Sequence, residues 1–396
     1  ERFLGFWKIR LRDYLGKVFT NGKVRITLPG GSELIIDGLH ETSSTAHIEI
    51  KKWQMFLNLL LTGVIGLAES YMKGHWDTKD LSSLLKYGIS NRGPIKGFLR
   101  GRLPQKIWGR LRHYARRNSL KGSKKNVAYH YDLGNQFYAL WLDSSMTYSS
   151  AVFASQNDKL EVAQENKYQQ LSHLIRLEKS SNVLEIGCGW GGYMNHLVDN
   201  YGCQVTGITI SKEQHDFVRD LIMTGNLYHS ANVKIQDYRE ITGKYDKIVS
   251  IEMIEAVGER YWPIFFEKLK NLLKPNGDIA LQLITINEED FSLYRKNPDF
   301  IQKYIFPGGM LMTKTLLLEC ADTVGLRLVE MNDFGRDYAR TLSIWKDQFN
   351  AAWPELKAIG FEERFRRMWN FYLSYCEAGF EHGCIEVSQV HLVHDR

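Results

Sequence analysis

The sequence predicts an α/β protein: a doubly wound, mostly parallel sheet with a smaller α+β domain on its N-terminal side. From Ser181 onward, short apolar runs alternate with helical stretches, and strands separated by helices build βαβ units and a parallel sheet. Before that point the pattern is different, with short alternating segments, turn residues and one long uncharged stretch. The 396 residues, 44% hydrophobic and 24% charged, exceed what one small domain needs and can bury a sizeable core. Gly122-Ser123, among lysines, marks the boundary, giving domains of 1–122 and 123–396.

Val24-Arg25-Ile26-Thr27-Leu28 alternates as a strand does, and Pro29-Gly30-Gly31 forms a turn before the next strand, Glu33 to Ile36. Trp53 to Ala68 carries no charge but includes Gln54, Asn58 and Thr62. It is short for a bilayer span, so a buried helix over 53–72 is expected. Arg92 to Lys125 holds twelve Lys/Arg and no Asp or Glu. Within it Leu103, Ile107, Leu111 and Tyr114 recur at helical spacing after Pro104, which predicts a helix from Pro104 to Arg117. Such a segment can be a solvated linker helix or a surface for anionic membranes. A nucleic-acid role is disfavoured because no recognised motif accompanies the charge. In the second domain, strands are expected at Asn182–Ile186, Gln204–Ile208, Asn232–Ile235, Lys247–Ile251 and Asp278–Ile284, and aromatic-rich helices over Ala351 to Phe380. Five cysteines, without C-x-x-C or Cys/His finger spacing, point to a reducing, cytoplasmic setting and no bound metal.

The segment Glu185-Ile186-Gly187-Cys188-Gly189-Trp190-Gly191 is a strand end, a glycine turn and a helix start. Glycines there let backbone approach a nucleotide at the carboxyl end of a strand. The acidic residue just before Ile-Gly is the pattern of S-adenosylmethionine-dependent methyltransferases, whereas dinucleotide and Walker motifs are absent. After the second strand come Thr209-Ile210-Ser211 and Gln214, without the usual ribose-binding carboxylate. After the third come Gln236-Asp237-Tyr238, where Asp237 could accept from the adenine amino group. The fourth ends in Glu252-Met253-Ile254-Glu255.

Beyond these motifs stand Gly66-Leu67-Ala68-Glu69-Ser70-Tyr71-Met72, His130-Tyr131-Asp132-Leu133-Gly134-Asn135 and Met146-Thr147-Tyr148-Ser149-Ser150-Ala151. Further on are Glu255-Ala256-Val257-Gly258, Tyr304-Ile305-Phe306-Pro307-Gly308-Gly309 and Asp333-Phe334-Gly335-Arg336-Asp337-Tyr338. In this order the sequence resembles the cyclopropane fatty acyl phospholipid synthase family, which includes mycolic acid cyclopropane synthases. The resemblance implies a Rossmann-like class I methyltransferase domain acting on unsaturated acyl chains of membrane phospholipids. It also implies a homodimer and peripheral association with the inner face of the membrane. Cyclopropane formation is the expected outcome; the alternative is methyl-branched, methylene or furan-precursor chains. Tyr148 and Ser149 join the cofactor residues.

The chemistry sets clear demands. An alkene is a weak nucleophile, so the sulfonium methyl must be held close to it in a dry pocket. The resulting carbocation can be stabilised by aromatic faces, for which Tyr138, Trp141, Tyr304 and Phe306 are candidates. A base must then take a proton from the new methyl. In the family that base is a bound bicarbonate, and the resemblance places its ligands at Glu255, the Ile284 amide and Tyr338, with Ser150 and Gln282 where Cys and His are expected. Ser150 and Gln282 still offer hydrogen bonds, but more weakly, which puts ring closure in question. Cys376 aligns with a cysteine once regarded as catalytic, but its helical context favours a packed thiol.

Overall fold

The computed structural model describes Gly16 and residues 19–93, 133–225 and 227–395. The basic helix expected at 104–117 and the His130-Tyr131-Asp132 motif lie outside the described residues. The chain divides into two compact units, Glu1–Leu111 with Trp353–His382, and Arg112–Ala352 with Gly383–Arg396.

In the first unit, β1 (Asn21–Thr27), β2 (Glu33–Asp37), β3 (His40–Ile50) and β4 (Trp76–Asp77) form a sheet in the order β2-β1-β3-β4. The β1–β2 hairpin turns at the expected glycines, with Gly31 N donating to Leu28 O at 2.9 Å. Every second residue points inward, so Val24, Leu34, Ile36, Ala46, Ile48 and Ile50 are buried.

The helix expected over 53–72 is instead two, Gln54–Thr62 and Val64–Met72. Gly63, at φ 63°, breaks it in a conformation that glycine adopts without strain. The first of the pair is not buried as expected. Met55 is its buried residue, while Phe56, Leu57, Leu60 and Leu61 face outward.

The expected 123–396 domain is corrected at its far end, because the helix Glu363–Glu381 packs with the first unit. Arg367 explains why. Its guanidinium donates to Tyr71 O at 2.5 Å and Trp76 O at 2.9 Å, reaches Asp77, and lies 3.9 Å over the Tyr71 ring. Nearby, Glu377 accepts from Ser82 and from Lys86 on the helix Leu81–Ser90.

The second unit holds β5 (Asn182–Ile186), β6 (Gln204–Thr209), β7 (Ala231–Ile235), β8 (Tyr245–Ile251), β9 (Leu273–Ile286), β10 (Leu326–Asp333) and β11 (Ile385–His394). The order is β10-β11-β9-β8-β5-β6-β7, with β5, β6, β7, β8 and β9 parallel and β11 antiparallel to both β9 and β10. The five expected strands are all present. Helices cover the sheet by periodic apolar faces. On Trp262–Leu272, for example, Trp262, Phe265, Phe266, Leu269 and Leu272 are buried at i, i+3, i+4, i+7 and i+10, with Pro263 in the first turn. Strand order reverses between β5 and β8, and a cleft at such a switch point, outside the carboxyl ends of the strands, is where doubly wound sheets bind ligands.

Candidate active site

The cleft opens at the carboxyl ends of β5, β6 and β8. Its first wall is the turn after β5, pinned to the sheet because Gly187 N and Cys188 N both donate to Ile208 O on β6. Gly189 sits at φ 53°, and a Cβ there would meet nothing within 4 Å, so the turn leaves open space where a ligand needs it. Of the fifteen residues expected at the cofactor, Tyr148, Ser149, Glu185, Gly187, Cys188, Gly189, Trp190, Thr209, Ile210, Gln214, Gln236, Asp237 and Tyr238 line the cleft.

Gly191 and Ser211 do not line it. A Cβ on Gly191 would press on Val218, so this glycine serves helix packing. Ser211 caps the helix Lys212–Thr224 by accepting from Gln214 N. Asp237, expected at the adenine amino group, is fixed in the cleft wall by a charge partner. Arg239 donates to both of its carboxylate oxygens, at 2.8 and 2.7 Å, because a buried carboxylate needs a charge partner.

Glu185 is buried, and its Oε2 has no hydrogen-bond partner among the described residues. Burial pushes its carboxyl up to about 8, against the opposing pull of Lys167. An unpartnered acid in a cleft of this shape fits the amino group of adenosylmethionine, and the open turn at Gly189 fits its nucleoside. The residues present therefore suit that cofactor.

Lys167 was not foreseen. It is fully buried on the helix Leu160–Leu174 and donates to Ser149 Oγ at 2.8 Å. Burial pulls its ammonium down to about 7, while Glu252, Asp143 and Glu185 pull the other way. Its sequence signal was a lysine among Ala163, Gln164, Tyr168 and Leu171, the buried face of that helix.

The second unforeseen residue is Glu252, just past β8, at φ 48°. Its carboxylate accepts from Ser150 N at 2.8 Å, from Gln282 Nε2 at 2.8 Å and from the Tyr338 hydroxyl at 2.6 Å. Gln282 is oriented by Gln389, its partner across β9 and β11, whose amide donates to Gln282 Oε1 at 3.1 Å. Thus Ser150, Gln282 and Tyr338 converge as the sequence led us to expect, but on a side chain of the protein. Ser150 contributes its backbone N–H rather than its hydroxyl, which donates to Ala151 O.

The Ile284 amide, also expected to hold bicarbonate, donates to Glu255 Oε1 at 2.6 Å. Glu255 is pushed up to about 8, first by burial and then by the neighbouring Glu252 charge. Glu252 is likewise raised by burial, but Tyr338, Gln282, Ser150 and Lys167 all counter the rise. At neutral pH the Glu255 carboxyl therefore holds its proton.

Aromatic rings crowd this end of the unit. Tyr138 packs on Trp190 at 4.9 Å and Tyr148 at 5.4 Å, and Trp345 on Tyr148 at 5.2 Å and Tyr338 at 6.1 Å. Tyr304 and Phe306 are part-buried, and their loop is tied to the site where Met310 N donates to Glu255 O at 2.8 Å. Cys376 lies on the helix Glu363–Glu381 of the first unit.

Residues 118–390 match the sequence model of a family described as mycolic acid cyclopropane synthetase. The chain belongs to that family. As a mycolic acid cyclopropane synthetase family member, it is an S-adenosylmethionine-dependent methyltransferase. The tuberculostearic acid methyltransferase of Mycobacterium tuberculosis is 35% identical over 347 residues, 84% of this chain and 79% of that protein. The cyclopropane-fatty-acyl-phospholipid synthase of Escherichia coli is 33% identical over 356 residues, 88% of each. The crystal structure of a mycolic acid cyclopropane synthase complexed with SAH and CTAB superposes with a TM-score of 0.65 at 30% identity, covering 68% of this chain and 97% of that one.

Proposed function

We propose that this family member methylates the carbon–carbon double bond of an unsaturated phospholipid acyl chain, with Glu252 as the base that removes the following proton and closes a cyclopropane ring. The observation that carries this reading is the convergence of Ser150, Gln282 and Tyr338 on the Glu252 carboxylate. These groups were expected to bind bicarbonate, and a tethered carboxylate takes its place. Relatives named for acyl lipids support the substrate class.

When bound, adenosylmethionine supplies a methyl group whose bond to sulfur breaks with the electron pair left on sulfur. Glu185 would pair with the cofactor's amino group, and the Gly189 turn would admit its nucleoside. The alkene's π pair forms the new carbon–carbon bond and leaves a cation on the other alkene carbon. Tyr148, which lines the cleft with Tyr138 and Trp345 packed behind it, presents its ring to that cation, a contact worth roughly 0.5–2 kcal/mol or more where water is excluded. Glu252 takes a proton from the new methyl, and the released C–H pair closes the ring. Glu255, protonated, adds no second negative charge to the site.

A second reading, an open-chain product with a methyl-branched alkene or a methylene group, is favoured by the same hydrogen bonds. Three donors occupy the carboxylate oxygens and offset part of the rise that burial gives Glu252, so proton loss to it competes with a hydride shift. Incubation with adenosylmethionine and phospholipid vesicles, followed by mass spectrometry of the acyl methyl esters, distinguishes the two products. Absence of any methylated acyl product would refute the substrate assignment.

A further inference from the structure

We propose that the outward face of the helix Gln54–Thr62 is a membrane-insertion surface that seats the first unit in a bilayer containing anionic lipid. This deepens the proposed function and rests on its phospholipid substrate. Trp53, Phe56, Leu57, Leu60, Leu61 and Val64 recur at i, i+3, i+4, i+7, i+8 and i+11, one apolar stripe of a helix. In a water-soluble domain such a stripe faces the core. Here it faces away, with Trp53 60% exposed, Leu57 55% and Leu60 49%.

The opposite face holds the helix in place. Met55 is buried, and Asn58 Nδ2 donates to Ser70 Oγ at 2.8 Å on the helix Val64–Met72. A Cβ at Gly66 would fall 2.1 Å from Asn58 O, so the two helices meet at backbone distance. The outward display is therefore fixed by packing.

Chemistry selects lipid as the occupant. No acidic residue occurs from Lys51 through Ala68, and exposed Lys52 adjoins Trp53, whose ring stacks on Phe56 at 5.8 Å. An indole beside a lysine suits the headgroup level, with leucines reaching the acyl boundary. The helix has nine residues, about 13 Å at 1.5 Å per residue, which suits lying in the interface and not crossing it. Among the described residues no helix is long and apolar enough to cross a membrane. Exposed Lys52 and the lack of any acidic residue along the stripe give this face a positive character that anionic lipid complements. A water-soluble protein partner or second copy would have to meet such a stripe with its own apolar surface.

The test is co-sedimentation of the full chain with phosphatidylcholine vesicles, with and without 30% phosphatidylglycerol, for wild type, Leu57→Glu/Leu60→Glu and the milder Leu57→Gln/Leu60→Gln. Circular dichroism melts and S-adenosylhomocysteine calorimetry verify that each variant is folded. Wild type should bind the anionic vesicles with a component that survives 0.5 M salt, and the Glu pair should lose that component at least tenfold. The Gln pair should lie between them. Methyl transfer to detergent-dispersed phospholipid should be the same in all three. Unchanged vesicle binding by the Glu pair would overturn the proposal. So would a loss of self-association in sedimentation velocity with vesicle binding intact, which would make the stripe a contact between copies. Salt-resistant vesicle binding that is lost in the Glu pair, without methyl transfer to any phospholipid, would refute the proposed activity and leave this surface standing.

Discussion

Glu252→Gln tests the internal base most directly, because it keeps the shape of the side chain and removes its charge. Three donors face the carboxylate. An amide has one acceptor oxygen, so whichever way it turns, its NH₂ meets a donor. Turned toward Tyr338, it forces that hydroxyl to point its proton elsewhere. Turned toward Ser150 N and Gln282 Nε2, it sets N–H against N–H. One buried donor left unsatisfied costs about 1–3 kcal/mol, so the variant should melt lower than wild type but remain folded. Loss of a positioned base slows proton removal by roughly 10²–10⁴-fold. The assay follows two products in one reaction: S-adenosylhomocysteine for methyl transfer, and acyl methyl esters by gas chromatography for the fate of the cation. We expect methyl transfer to fall far less than ring formation, with unsaturated open-chain methylated products making up the difference. Glu252→Gly carries the test further. Glycine adopts φ 48° without strain, and removing the carboxylate leaves the same donors around a gap. Added bicarbonate should then restore ring formation in Glu252→Gly while leaving wild type unchanged. A wild type that itself needs bicarbonate, or a Glu252→Gln variant with unaltered products and rate, would refute the reasoning.

Three further outcomes follow from the same geometry. Glu185 is held near 8 and must ionise to pair with the ligand's ammonium, so S-adenosylhomocysteine binding at pH 7 should release a proton and tighten up to tenfold per pH unit toward 8; calorimetry in buffers of different ionisation enthalpy reads this, and Glu185→Gln should remove it. Gly189→Val should abolish that binding, since the side chain would fill the open space at the turn in a backbone conformation valine resists; calorimetry on the folded variant decides. Glu255 has its folded-state value raised to about 8, so the folded state binds the extra proton and its contribution to stability is lost as pH climbs from about 4.5 to about 8. Glu255→Gln should flatten that part of the profile in denaturant titrations.

Much of this architecture was legible because the second unit repeats one signal. Short apolar runs at Asn182–Ile186 and Lys247–Ile251, spaced by helical stretches, read as strands buried on both faces, and the glycine turn fixes where the cleft opens. The strands that went unread have physical reasons. β3 begins His40-Glu41-Thr42-Ser43-Ser44-Thr45, and apolar alternation starts only at Ala46, with Ile48 and Ile50. β11 buries Ser388, Gln389 and His391, which read as surface residues until their partners are seen: Asp333 at 2.7 Å, Gln282 at 3.1 Å and Asp278 at 2.7 Å. The exposed stripe on Gln54–Thr62 was misread for the converse reason. Periodicity shows that a helix has an apolar face, but not whether that face meets protein.

Glu252 was visible as a letter in Glu252-Met253-Ile254-Glu255 and invisible as a function, because its role depends on residues about 30, 86 and 102 positions away. Its backbone at φ 48° costs about 1–3 kcal/mol, which its three hydrogen bonds, at about 0.5–1.5 kcal/mol each or more, offset. Tethering also changes the kinetics of the proposed step. A bound anion must be recruited from solution, whereas this carboxylate is present at every turnover and moves only with the sheet, since Glu252 N donates to Gln282 O at 2.7 Å. The product then depends on a race on the substrate itself, between proton loss to a fixed base and hydride migration along the acyl chain. Whatever shifts the Glu252 carboxylate or its donors should move the ratio of ring to open chain before it moves the rate of methyl transfer.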